Sequence, residues 1–223
     1  MRVWFLLIVG CCGVGILVWL GTWQVQRLGW KEGLLSSIEA QISADPQPLD
    51  AAVTPSFQRY APVTVTGTFG DRHIRMLASR KSIGPVYRII RPFAVEGASP
   101  ILIDTGWVPD GTAVPDPANG LLTLTGNLDA PIEADGFTPA PDLENNLWFA
   151  RDVPAMADAL GTRPILVVLR EMPATDLGVT PWPVDTAGIP NDHLQYAVTW
   201  FSLALIWGAM TAYFLLRTRR SAR

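Results

Sequence analysis

Hydrophobic positions along the chain follow two different rules. Residues 3–21 (VWFLLIVGCCGVGILVWLG) and residues 194–216 (LQYAVTWFSLALIWGAMTAYFLL) are apolar all round and carry no charge. Each run is long enough to cross about 30 Å of hydrocarbon as a helix. Between them apolar and polar residues alternate with a period of two, the mark of half-buried strands. The alternation predicts strands over 60–69, 72–80, 87–95, 101–108, 121–128 and 165–172, punctuated by the Gly/Pro clusters SIGP, EGASP and PDGTAVPDPANG. The phrases VTVTGTF and LTLTGNL resemble each other and read as two equivalent strands of a small barrel or sandwich. Helical signals interrupt the strands twice. The first apolar run extends as a helix through about residue 43, and DVPAMADALG (152–161) is a short helix with Asp152 as N-cap and Gly161 as stop. The expected fold is an α+β membrane protein in which two transmembrane helices flank a β-rich periplasmic domain, a small barrel or sandwich with one or two helices. Its segments are a first span (1–23), a helical extension and linker (24–45), the β-rich domain (46–192), a second span (193–216) and a basic tail (217–223).

Charge orients this arrangement. Arg217, Arg219, Arg220 and Arg223 follow the second span, and such basic clusters stay in the cytoplasm. Two spans then place both termini in the cytoplasm and the middle across the membrane. All 20 acidic residues lie between Glu32 and Asp192; with 12 basic residues, the stretch 24–193 has a net charge of −8. Its acidity argues against nucleic acid or anionic lipid headgroups as partners of the domain, and leaves membrane lipid as the surrounding of the spans. The first apolar run is longer than a signal-peptide core and is followed by bulky residues, TWQVQRLGW, so it is expected to be retained. Over the whole chain 49% of residues are apolar and mean hydropathy is +0.24, high for a soluble protein and low for one with many spans.

Candidate chemistry is sparse in the domain. The only cysteines, Cys11 and Cys12, are adjacent within the first span and read as small apolar filler. The domain therefore has no disulfide, CxxC or haem-attachment motif. Its one histidine, His73, is expected as a surface residue of a strand. Asp104, in the apolar run ILIDTGWV, is expected to cap a turn or to pair with an arginine rather than to act in catalysis. No P-loop, GxGxxG or GxSxG occurs, and no nucleophile, base and oxyanion set assembles, so an enzyme has nothing specific in its favour.

The polar residues at the outer edges of the spans are more informative. Trp19, Trp23, Arg27 and Trp30 recur at helical spacing on the first helix; His193, Tyr196 and Trp200 do so on the second. An aromatic belt accounts for Trp4, Trp207 and Tyr213. It does not account for Gln24, Gln26, Arg27 and His193 at one outer level, since polar residues at that depth face protein or ligand. Two readings stand side by side. An imidazole and a guanidinium on an aromatic-lined patch suit haem iron and a haem propionate; the same groups equally form an interfacial hydrogen-bond cluster.

Six phrases occur in the order found in the Surfeit-locus family of cytochrome c oxidase assembly proteins: LGTWQVQRLGWK, YAPVTVTGTF, GPVYRIIRPF, ILIDTGWVP, NNLWFARDVPAMADALG and NDHLQYAVTWFSLA. The resemblance covers nearly the whole chain. It implies a two-span protein of the bacterial inner membrane, not an enzyme, that matures haem–copper oxidase by handing haem a to the catalytic subunit, with haem A synthase as a further partner. It implies that His193 ligates the haem iron; the spacing of the residues themselves makes Arg27, Trp23, Gln24, Tyr196 and Trp200 the expected surroundings. The competing roles are a scaffold for an oxidase assembly intermediate that never touches haem and a membrane-anchored periplasmic enzyme. One departure stands out: the family usually has NRGWVP where this chain has DTGWVP, so Asp104 and Thr105 replace an amide and an arginine.

Overall fold

A computed structural model describes residues 2–54 and 56–221. Its elements, in chain order, are α1 (Arg2–Ile42), β1 (Gln47–Pro48), α2 (Leu49–Val53), β2 (Pro62–Phe69), β3 (Ile74–Arg80), β4 (Gly84–Val95), β5 (Ile101–Pro109), β6 (Leu122–Asp129), β7 (Leu147–Trp148), α3 (Val153–Leu160), β8 (Leu166–Leu169) and α4 (His193–Ser221). They divide into a helix pair, residues 1–37 with 186–223, and a β-rich domain, residues 38–185. Arg223, the last of the four C-terminal arginines, lies outside the described residues.

The domain is a closed five-stranded barrel with added strands. β2 pairs with β6, β6 with β8, β8 with β5, β5 with β4, and β4 returns to β2. All pairs are antiparallel except β5 with β8. With the barrel strands counted in chain order the ring runs 1-2-3-5-4 and back to 1, a Greek-key closure that leaves the ring no free edge. The similar phrases VTVTGTF and LTLTGNL are direct neighbours: β2 and β6 pair over six residues, and the Thr66 and Thr123 hydroxyls meet at 3.1 Å. Gly67 forms the corner, paired with Leu122 on one side and Val95 on the other. A Cβ there would lie 2.1 Å from the Ala94 carbonyl oxygen, so only glycine lets β2 change partners at this point. Outside the ring, β3 pairs with β4, β7 with β3 and β1 with β2.

Alternation sorts the side chains into two cores. Val63, Val65, Ile89, Phe93, Ile101, Ile103, Leu124 and Leu128 fill the barrel. Ile90, Leu102, Leu166 and Val168 point the other way and are covered by Met156 and Leu160 of α3 and by Trp148. β5, buried on both faces, is therefore apolar nearly throughout. α3 matches its expected limits: Asp152 accepts a hydrogen bond from Ala155 N at 3.1 Å, and Gly161 ends the helix in the left-handed region at φ 72°.

Three ion pairs stand out in the domain. Asp104, fully buried, meets Arg88 at 2.6 Å, and Arg88 in turn lies 4.6 Å from the Trp182 ring centroid. Asp104 also accepts from Gly106 N, so it both pairs with an arginine and caps a turn, as expected. That turn is a β-bulge: Ile89 opposes Gly106 and Ile90 opposes Asp104, which leaves Thr105 as the extra residue, its hydroxyl bonded to the Ile89 carbonyl. Gly106 sits at φ 127° beside the Thr180 carbonyl, a position closed to any side chain. A second network joins Arg151 to Glu133 at 2.5 Å and to Asp129 at 3.2 Å. Asn127 ties the Ile42 and Tyr60 carbonyls, each at 2.9 Å, and so anchors the last turn of α1 to the domain.

The structure departs from expectation in particulars. His73 immediately precedes β3 instead of lying within it, and it is half-buried rather than on the surface. Burial, followed by the charges of Arg91 and Arg75, holds its pKa below the usual value of 6.5. β8 is four residues, not eight, because the chain leaves the ring once it has paired with Gly126. β1, β7 and α2 are too short to carry a period and exist only through their partners.

In the helix pair, α1 and α4 are both long and apolar enough to cross a membrane, and almost all of their apolar surface faces outward. Cys11 and Cys12 are free and exposed on α1.

Candidate functional site

Small residues bring the two helices together. A Cβ added to Gly10 would lie 2.1 Å from Thr211, one at Gly13 2.3 Å from the Trp207 indole, and one at Gly21 2.7 Å from Phe201. On α4 the facing positions are Ala197 and Ala204, both buried. Without a hydrophobic force between helices in lipid, close backbone approach of this kind is what packs them.

At the end where α4 begins, this seam closes on a polar pair. Gln24 is only 8% exposed, and its Oε1 lies 2.8 Å from Nδ1 of His193, the first residue of α4. A side-chain amide oxygen only accepts, so Nδ1 donates. The proton is thereby fixed on Nδ1, and Nε2 keeps its lone pair. A metal ion can ligate this tautomer through Nε2, and an orienting hydrogen bond to the second ring nitrogen is what ligand histidines have.

The other candidate residues are distributed around this pair. Trp200, half-buried, has an indole Nε1 that is buried without a hydrogen-bond partner. Tyr196 and Trp23 are 54% and 43% exposed and flank the seam. The Arg27 guanidinium stacks on Trp30 of its own helix, 4.4 Å from the ring centroid. Direct contact between the helices is thus made by His193 with Gln24, while the arginine stands to the side. Sequence spacing put Gln24, Gln26, Arg27 and His193 at one level but did not reveal that Gln24 is the histidine's partner. The signal available was a glutamine on the glycine line of α1, seven residues after Leu17 and three after Gly21.

In the domain no comparable site forms. Among the described residues no three His, Cys, Asp or Glu side chains gather as a metal site. One recess of the domain is a surface hollow lined by His73, Asn146, Trp148 and Leu160.

The fold and the polar seam define a class: a β-barrel domain flanked in sequence by two membrane-type helices, with an oriented histidine at the start of the second helix. The sequence model of the SURF1 family matches residues 12–205, and the chain belongs to that family. It is 29% identical to "Surfeit locus protein 1" of Rattus norvegicus, over 96% of this chain and 74% of the relative. Identity is 31% to the protein of the same name from Xenopus tropicalis, over 82% and 67%, and 30% to "SURF1-like protein" of Drosophila melanogaster, over 90% and 73%. The matched region includes both Gln24 and His193.

Proposed function

We propose that the protein is an assembly factor for haem–copper cytochrome c oxidase that receives haem a at the outer face of the membrane and passes it to the catalytic subunit. One observation carries the haem part of this reading: the Nδ1 hydrogen bond to Gln24, which leaves Nε2 of His193 ready to ligate iron. A carrier must also release its cargo. One histidine at a helix end, open on one side, suits that better than two buried ligands. Arg27, exposed beside Trp23 and Trp30, is placed to pair with a propionate. Tyr196, Trp23 and Trp200 offer flat aromatic walls to a porphyrin.

The client and the haem A synthase that would supply the cargo follow from the family, as does the reading of the protein as a biogenesis factor rather than an enzyme. The arginines at 217, 219 and 220 support an orientation in the bacterial inner membrane with both termini cytoplasmic and the barrel periplasmic. Protease added to spheroplasts then degrades the barrel and spares a C-terminal tag; the opposite pattern overturns this topology.

The test of the haem reading is the absorption spectrum of protein purified after coexpression with the enzymes of haem A synthesis. Wild type should carry haem, and His193→Asn, which keeps a hydrogen-bonding side chain but loses the Nε2 ligand, should not. An Asn variant with as much haem as wild type leaves a scaffold that binds the oxidase subunit alone.

A further inference from the structure

Among the described residues of the β-rich domain, the three most exposed large apolar side chains stand on one loop. Between β6 and β7, Phe137 is 96% exposed, Ile132 92% and Leu143 70%. Single exposed apolar residues are ordinary, but a cluster of them marks an interaction surface. The loop is also well tied. The Asp135 carboxylate accepts from Phe137 N at 2.9 Å and from the Thr138 hydroxyl at 3.0 Å, while Asp135 N donates to the same hydroxyl oxygen at 2.9 Å. Upstream, Arg151 holds Glu133 through both carboxylate oxygens. The turn therefore presents the Phe137 ring to water in a fixed position, ordered before any partner arrives.

The same face carries a hollow of about 530 Å³, room enough for an aromatic side chain. Ile74, Trp148 and Leu160 form its buried floor, and Asp71, Arg72 and His73 stand at its rim. Asn146 closes one side at φ 51°, an uncommon conformation for a non-glycine residue, and its amide donates to the His73 carbonyl. With its pKa lowered, the His73 ring is uncharged at neutral pH. Trp148 lines both this hollow and the recess beside the Asp135 turn. The turn packs at the start of α3, by Asp152 and Ala155, and the hollow lies at its end, by Ala159 and Leu160. Projection and hollow are thus about 10 Å apart along the helix. They are also opposite in charge. Residues 130–141 carry Glu133 and Asp135 and no basic residue; residues 72–81 carry Arg72, Arg75, Arg80 and Lys81 and no acidic residue.

A face that holds an apolar projection beside an apolar recess of opposite charge is complementary to itself under a two-fold rotation. We infer that the protein forms a homodimer in which Phe137 of each copy docks into the hollow of the other, against Trp148 and Leu160. Asp135 then comes beside the partner's Arg72, which spends Nη2 on the Ala159 carbonyl and has further donors to offer. A membrane surface is a poorer occupant, because segments that lie on membranes carry Lys and Arg beside their apolar residues, whereas Glu133 and Asp135 flank this ring. With one ring per side the contact is small, and the dimer is a weak, reversible one.

Sedimentation velocity of the full-length protein in detergent micelles tests this, over roughly 1–100 µM, the range in which a small contact equilibrates. Wild type should pass from monomer to dimer. Phe137→Ser, at a site too exposed to affect folding, should weaken dimerisation by about 100-fold or more, since each dimer loses two buried rings and each contributes about tenfold or more. Phe137→Leu should fall between the two. A wild type that stays monomeric throughout overturns the inference and leaves the loop to a different partner. A dimer that Phe137→Ser leaves unchanged overturns it as well and assigns association to the helix pair. The contact itself is read by mixing two proteins, one with Phe137→Cys and the other with Ala159→Cys, both also carrying Cys11→Ser and Cys12→Ser. Ala159 lines the hollow, so mild oxidation should give a mixed disulfide between the two and much less cross-linking of either alone. Absence of the mixed disulfide removes the hollow as the receptor, and the inference with it.

Discussion

The barrel and the helix pair treat buried polarity in opposite ways. In the barrel, Asp104 is enclosed with Arg88 under Trp182, and Arg151 holds both Glu133 and Asp129. Each of these charges has its counter-ion, and the pairs sit at places where the fold would otherwise be incomplete: the β5 bulge, the end of β6 and the segment before α3. In the helix pair, nothing in the packing calls for a polar group. Glycine and alanine already bring the backbones together, yet a buried Gln24 is hydrogen-bonded to a half-buried His193. The ion pairs of the barrel complete its fold, whereas the Gln24–His193 hydrogen bond lies where helix packing does not require one. That contrast separates the domain from the site.

Breaking the comparison begins where the fold depends most on polarity. Asp104→Ala should leave the Arg88 guanidinium uncompensated in the barrel wall and destabilise the domain by about 3–5 kcal/mol. Denaturation followed by tryptophan fluorescence checks this, because Trp107 and Trp182 lie near the pair. A variant as stable as wild type would show that the ion pair is incidental to the bulge. Asp152→Ala removes the side-chain cap of α3 and should cost about 1 kcal/mol in the same measurement.

Acid should weaken the domain in two stages. The native pKa of His73 is lowered, chiefly by burial, so the unfolded chain takes up a proton near pH 6.5 while the native state does not. Stability contributed by the neutral ring is present above that pH and is lost as pH falls toward the lowered native value. For Glu133, burial works to raise the pKa, but the hydrogen bonds and charge of Arg151 prevail and lower it below 4.5. Its contribution is present above about pH 4.5 and is lost as pH falls through the depressed value. A denaturation series on His73→Asn should lack the upper stage only. Identical pH profiles for variant and wild type would remove His73 as its source.

The smallest effect on stability, and the sharpest for the comparison, is expected at Gln24. Gln24→Leu keeps the volume and removes the acceptor, so the helix pair should remain assembled, with a change below about 1 kcal/mol, because membrane hydrogen bonds contribute little on average. Haem affinity should nevertheless fall by about tenfold or more, the usual result of deleting the partner that orients a ligand histidine. Unchanged affinity in Gln24→Leu would mean that the hydrogen bond serves packing alone.

Much of this protein was determined by local sequence. The two apolar runs specify helices whatever surrounds them, because in hydrocarbon every backbone group must be satisfied within the helix. Period-two alternation places β2 to β6 within a few residues, and Asp152 and Gly161 bracket α3 because a cap acts on its own first or last turn. Tertiary structure alone decided what depends on distant partners. The parallel pairing of β5 with β8, the corner at Gly67 and the two-residue β1 and β7 arise only when the ring closes. His73 moved off its strand and inward because the burial around it is supplied by residues far along the chain. In the helix pair, helical spacing set the candidate polar residues at one level but could not assign contacts. Spacing fixes the face of one helix, whereas the rotation of the second helix against it is set by the glycine seam. That rotation put Gln24, not Arg27, against His193.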